Sequence, residues 1–105
     1  MYTVYLADDE QLIREGLAET IPWESLRMRL VGTAEDGRHA LRGIREHKPD
    51  IVLTDIRMPY LDGLELIGKI REVHPSCRVV IISGHGEFTY AQSAIQLGVS
   101  DFILK

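Results

Sequence analysis

Short, nearly continuous apolar runs recur along the chain at Val4 to Ala7, Ile51 to Leu53, Val79 to Ile82 and Phe102 to Leu104. They are rich in β-branched residues and lack the alternation of a half-exposed strand, so they predict strands covered on both faces. A weaker run, Met28 to Ala34, holds a lone glycine, Gly32, and has flanking arginines, which predicts an edge strand. Helical periods lie between these runs. Ile13, Leu17 and Ile21 share one face, as do Ala40, Leu41 and Ile44; Leu66, Ile67, Ile70 and Val73 form a third stripe, and Ala91, Ala94 and Ile95 a fourth. Asp62-Gly63-Leu64-Glu65 reads as a capping box opening the third helix; Pro75 closes that helix, and Gly98 is placed to end the fourth. The order β-α-β-α-β-α-β-α-β predicts a parallel sheet with right-handed crossovers and helices on both faces. The connection Pro22-Trp23-Glu24-Ser25-Leu26 is longer than a minimal turn, and Trp23 is expected to anchor it against the body. Five strands with four helices leave part of one sheet face short of a cover.

Composition narrows the class. A chain of 105 residues allows one small domain, and 45% hydrophobic with 27% charged residues is ordinary for a globule. Twelve Lys+Arg against 16 Asp+Glu give a formal charge of -4, with no electrostatic footprint for direct nucleic acid binding. No apolar run approaches the length of a membrane span. The N-terminus lacks a basic start and meets Asp8 and Asp9 early, unlike a signal peptide. A single cysteine, Cys77, excludes a disulfide framework and suits the cytoplasm; at a strand start it is expected to be inert.

The informative polar residues fall at strand ends: Asp8 and Asp9 after the first, Asp55 after the third, Ser83 after the fourth and Lys105 after the fifth. In an open α/β sheet, ligands bind beyond the carboxyl ends of the strands, at the switch in strand order. With strand order 2-1-3-4-5, Asp8, Asp9 and Asp55 converge there, with Ser83 and Lys105 on the far side of Asp55. Three carboxylates so close repel one another unless a cation intervenes, and all-oxygen donors favour Mg²⁺. A hydroxyl and an ammonium beside them suit a tetrahedral dianion.

Taken together, Asp8-Asp9-Glu10, Asp55-Ile56-Arg57-Met58-Pro59 with Asp62-Gly63, Ser83-Gly84 and Phe102-Ile103-Leu104-Lys105 resemble the receiver domain of bacterial two-component response regulators. The resemblance covers essentially the whole chain, 1–105. Ile21-Pro22-Trp23-Glu24 and the stretch from Ser83 through Phe88-Thr89-Tyr90-Ala91 are similar to the branch with an AraC-type helix-turn-helix output domain. The resemblance implies a flavodoxin-like, doubly wound five-stranded sheet of order 2-1-3-4-5. It implies Asp55 as phosphoacceptor and a sensor histidine kinase as donor. Asp9, Asp55 and the backbone carbonyl of Arg57 would coordinate Mg²⁺, with Asp8 acting through bound water. Lys105 and Ser83 would hold phosphoryl oxygens, and Phe102 would be the aromatic switch.

Charge arithmetic supports a switch. Three carboxylates, one Mg²⁺ and one ammonium sum to about zero, and an acyl phosphate adds about one negative charge. A charge-assisted bond to Ser83 worth about 1.5–3 kcal/mol shifts a two-state equilibrium by about 10- to 150-fold. Ser83 moving inward vacates space that Phe102 fills, which reshapes the surface of the fourth helix and fifth strand. Arg57 and His85 are expected at the pocket rim, shielding the phosphoryl group from water.

Plainer readings stand beside these. Asp8 or Asp9 alone is accounted for by capping of the first helix, Glu10 by a first-turn position, and Glu35 and Asp36 by capping of the second helix. His39, His47, His74 and His85 have no paired zinc-ligand spacing and are read as surface or helix-end residues. The competing functions are a Mg²⁺-dependent phosphohydrolase with an aspartyl-phosphate intermediate, and an interaction domain that is never phosphorylated. The phosphohydrolase needs a second acid two residues after its nucleophile, where this chain has Arg57; a signalling switch rather than a turnover enzyme is therefore expected. Receivers ordinarily continue past the lysine into a fifth helix and an output domain. The chain is accordingly read as a fragment lacking that fifth helix, with self-association or homodimer formation through the exposed apolar surface and a weakened phosphate grip at Lys105 as expected consequences.

Overall fold

The computed structural model describes residues 1–82 and Gly98 in full, together with the backbone of Ser83 and of Asp101–Leu104. The elements are β1 (Tyr2–Ala7), α1 (Gln11–Thr20), a 3₁₀ turn (Glu24–Leu26), β2 (Met28–Ala34), α2 (Gly37–His47), β3 (Ile51–Asp55), α3 (Gly63–Val73), β4 (Arg78–Ser83) and β5 (Asp101–Leu104). All the strand pairs are parallel, in the order β2-β1-β3-β4-β5. The sheet is the doubly wound one expected, with β2 at an edge. The fourth helical period, at Ala91, Ala94 and Ile95, lies outside the described residues, as do His85 and Lys105.

Register decides which residues share a face. Tyr5 pairs with Val52 and Val52 with Val79, while Ala7 pairs with Thr54 and Thr54 with Ile81. Side chains alternate along a strand, so this row faces one layer, and its members Tyr5, Ala7, Val52, Val79 and Ile81 join Ala40 and Ile44 of α2 and Leu66, Ile67 and Ile70 of α3 in one core. Val4, Leu6, Leu53, Val80 and Ile82 face the other way. The stripe of α1 at Ile13 and Leu17 is only half-buried, and Leu12 is 86% exposed. Trp23 does anchor its connection: its indole Nε1 donates to the carbonyl of Ala18 at 3.1 Å.

The glycines of β2 and α2 have a cause that hydrophobic patterning does not reveal. The ring of Tyr5 lies across Gly32, where a Cβ would stand 2.7 Å from Cε2, and against Gly43 of α2, where a Cβ would overlap the phenol. Its hydroxyl donates to the Thr33 carbonyl at 3.3 Å. The β1–β2 register shifts between Val4 and Tyr5, so β2 bulges where the ring crosses it.

Local signals fix the helix starts. Asp62 caps α3 by accepting from the Glu65 N–H at 2.8 Å, and the Glu65 carboxylate accepts from the Asp62 N–H, completing the expected capping box. Asp36 caps α2, accepting the His39 N–H on Oδ1 at 2.8 Å and meeting the His39 ring Nδ1 with Oδ2 at 2.6 Å. Arg71, in the last turn of α3, donates to the carbonyls of Pro75, Cys77 and Gly98 at 3.0, 2.6 and 2.7 Å, which ties α3 to the chain leading into β4 and β5. Burial pushes the Cys77 thiol up to about 11, so it is an unreactive packing residue.

Two predictions follow from packing and capping. Gly63 and Gly68 lie in one helix, but a Cβ at Gly63 would strike the Asp55 carbonyl oxygen and the Ile56 Cα, whereas one at Gly68 meets nothing within 4 Å. Urea denaturation should show Gly63→Ala losing about 1–3 kcal/mol and Gly68→Ala gaining about 0.5–1 kcal/mol. Burial raises the Asp36 carboxyl, but the His39 N–H, ring and charge outweigh it and hold it below the usual carboxylate range. Its contribution is therefore present above the unfolded pKa and lost as pH falls through the folded one. Asp36→Ala should cost about 1 kcal/mol near neutrality, with the gap to wild type closing between about pH 5 and pH 2 in a denaturation series.

Candidate functional site

The neighbouring strands β1 and β3 end side by side, and each hands its last residues to an acid. Asp8 prolongs the β1–β2 ladder by one residue, its N–H donating to the Ala34 carbonyl at 3.0 Å. Its Oδ1 accepts from the Glu10 N–H at 2.9 Å, an Asx turn that leads the chain into α1, and its carbonyl accepts from Arg14 Nη1 at 2.8 Å. Asp8 is therefore fully buried. Asp55 closes β3, is also buried, and accepts the Ile56 N–H on Oδ1 at 2.7 Å; the Thr54 hydroxyl donates to its carbonyl at 2.9 Å. Gly63 donates its N–H to the Ile56 carbonyl at 2.6 Å and folds the β3–α3 loop beneath the site.

One carboxylate oxygen from each of Asp8, Asp9, Glu10 and Asp55 lies within 4.8 Å of the others. Two of these acids are buried and two exposed. An open groove of about 420 Å³ beside them is lined by Asp9, Arg57, Met58, Pro59 and Asp62. Burial, then the charge of Asp55, push the Asp9 carboxyl above its usual range, with Glu10 adding to the effect. The donors are all hard oxygens, with neither imidazole nor thiolate among them, which suits Mg²⁺ or Ca²⁺ rather than zinc. This acidic cluster can hold a divalent metal ion.

The structure thus brings Asp8, Asp9 and Asp55 together and puts the exposed Arg57 on the groove's rim. Ser83 is placed by its backbone, at the end of β4 opposite Leu104. Phe102 is placed only by its pairing with Ile81, while His85 and Lys105 fall outside the described residues. Glu10 differs from the sequence reading. It occupies the N-cap position without a side-chain capping bond, and its carboxylate joins the cluster. Its place directly after two acids was the available signal. The acids do not act as simple caps, since Asp8 serves the turn ahead of α1. A second group, Glu35, Asp36 and His39, also lies close together, but both oxygens of Asp36 are engaged by His39 in the helix cap.

This arrangement has close counterparts. A family model for the response regulator receiver domain matches residues 4–105. The transcriptional regulatory protein YesN of Bacillus subtilis (strain 168) is 48% identical over 105 residues, which is 100% of this chain and 28% of that protein. HptR, a transcriptional regulatory protein of Staphylococcus aureus (strain NCTC 8325 / PS 47), is 43% identical over 105 residues, covering 100% of this chain and 41% of its own length. The chain therefore spans less than half the length of these curated relatives. Among solved structures, the receiver domain of AraT from Geobacillus stearothermophilus superposes with a TM-score of 0.94 at 45% identity, covering 99% of this chain and 81% of that one. A two-component transcriptional regulator AraC from Clostridium phytofermentans ISDg gives a TM-score of 0.89 at 34% identity, covering 100% and 81%. With the sheet order and the acid cluster at its switch point, these matches establish that the chain belongs to the response regulator receiver domain family.

Proposed function

We propose that this domain is a phosphorylation switch in which Asp55 accepts a phosphoryl group from the phosphohistidine of a sensor histidine kinase. The observation that carries the reading is the buried Asp55 carboxylate at the end of β3, gathered with Asp8, Asp9 and Glu10 beside an open groove. Asp9, Asp55 and the Arg57 carbonyl would hold Mg²⁺ directly, and Asp8 would do so through water. When bound, the ion offsets carboxylate repulsion and the charge of the incoming phosphoryl group. The Ile56 N–H fixes the rotation of the Asp55 carboxylate, so an oxygen forms the new O–P bond as the histidine N–P bond breaks. Lys105 and Ser83 would take phosphoryl oxygens, and Ser83 and Phe102 would carry the change to the surface of the fourth helix and β5. Arg57 and His85 would slow hydrolysis from the rim.

The output in this reading is a helix-turn-helix DNA-binding domain of the parent regulator, acting in the cytoplasm, with self-association as a further route of control. Among the described residues no helix is long and apolar enough to cross a membrane. Turnover of an external phosphate ester is disfavoured because Arg57, exposed on the rim, stands where a phosphohydrolase needs its second acid.

With an acyl-phosphate donor and Mg²⁺, intact mass measurement should show one phosphoryl group on wild type and none on Asp55→Ala or after chelation. Asp9→Asn should slow the reaction by at least about tenfold, the scale of loss when even an outer support of a metal site is removed. Unmodified wild type, or a modified Asp55→Ala, would overturn the assignment.

The raised Asp9 carboxyl gives a separate test. Its stabilising effect is full below the unfolded pKa and is lost as pH rises through the folded one, so ionised Asp9 destabilises the metal-free fold. In chelator at neutral pH, Asp9→Asn should melt above wild type. Added Mg²⁺ should raise the wild-type midpoint by the usual mass-action amount and shift the variant far less.

A further inference from the structure

Outside the acidic site, α2 carries a stripe of three exposed arginines. Arg38, Arg42 and Arg45 recur at helical spacing, so all three project from one face, and all are exposed. With Leu41 and Glu46 they line a groove of about 490 Å³. Among the described residues none of the three forms an ion pair. Like charges one turn apart work against a helix, and this stripe stands on a chain of net charge -4.

One end of the groove is stiffened. The Arg38 guanidinium lies over the Tyr60 ring, 4.6 Å from its centroid. Tyr60 is 71% exposed and holds φ at 69°, a left-handed conformation that costs a bulky residue energy. It follows Pro59 in the β3–α3 loop, and Pro59 lines the groove beside the acidic site. A strained, exposed aromatic stacked on an arginine forms a pre-set flat platform beside a half-buried leucine.

We propose that this α2 groove docks an acidic helical segment of a partner protein, one that sets carboxylates a turn apart beside an apolar side chain. Guanidinium forks match carboxylates in geometry as well as charge, so Arg42 and Arg45 grip the acids. Leu41 takes the apolar residue, and the Arg38–Tyr60 platform bounds the site. A polyphosphate such as nucleic acid fits less well, because the chain's net charge of -4 repels it and Leu41 offers it nothing. The inference does not depend on phosphorylation of Asp55.

The test is fluorescence anisotropy of a labelled, synthetic helical peptide with glutamates one turn apart flanking a leucine, titrated with the unphosphorylated domain. Saturable binding is expected, weakened at least about tenfold by combined Arg42→Glu and Arg45→Glu, a loss of about 1.4 kcal/mol or more. Lys69→Glu, a charge reversal on the exposed face of α3, should change it less than about twofold. A peptide with Gln for Glu, or with Ser for the leucine, should bind as poorly as wild-type peptide binds the double variant. Circular dichroism of both variants should match wild type, since every substituted side chain is exposed. Absence of saturable binding, equal loss in Lys69→Glu, indifference to the leucine, or tighter binding of a single-stranded oligonucleotide would each overturn the proposal.

Discussion

Carboxylates that repel one another stand together at one end of this sheet, and the rest of the domain is arranged to keep them there. Two unit charges about 4 Å apart cost about 4 kcal/mol at an effective dielectric of 20, against about 1 kcal/mol in water. A cluster of four acid groups within 4.8 Å is therefore not a stable arrangement in a flexible loop. It persists because β1 and β3 are adjacent, parallel and in register, so their last residues arrive at the same level whether or not the acids favour it. Burial raises the Asp9 carboxyl most, and the charges of Asp55 and Glu10 push it further in the same direction, which is the trace of that conflict.

The surrounding backbone reads as a set of devices for holding the acids in place. The Asx turn at Asp8, the Ile56 N–H on Asp55, the Thr54 hydroxyl and the close approach of Gly63 each remove a freedom that repulsion would exploit. Positioned this way, the site gains most from a ligand that brings positive charge, and it responds strongly to one that brings negative charge. A domain that stores unfavourable electrostatics at a single point is a natural two-state element, since small changes in local charge are comparable with the energies separating its conformations.

Much of this was legible in the residues. Nearly unbroken apolar runs and intervening helical stripes predicted the strands and three described helices, and the acids at the ends of β1 and β3 pointed to the site. Asp62 with Glu65 announced the α3 capping box. What escaped were contacts between distant segments. Nothing local in Gly32 and Gly43 reveals that one ring, that of Tyr5, excludes a side chain at both. Glu10 looked like a first-turn residue because an acid is favourable at a helix start, and that position alone does not reveal that its carboxylate also joins those of Asp8, Asp9 and Asp55. The stacking of Arg38 on Tyr60 joins α2 to the β3–α3 loop, and spacing along the chain carries no trace of it.

The central claim, that a hard divalent ion is held where β1 and β3 end, is tested most directly by paramagnetic line broadening with Mn²⁺ in place of Mg²⁺. Substoichiometric Mn²⁺ is expected to erase the amide resonances of Asp8, Asp9, Glu10, Asp55, Ile56 and Arg57 first, with excess Mg²⁺ restoring them. Broadening centred instead on Glu35, Asp36 and His39, or scattered evenly over the exposed acids, would contradict it.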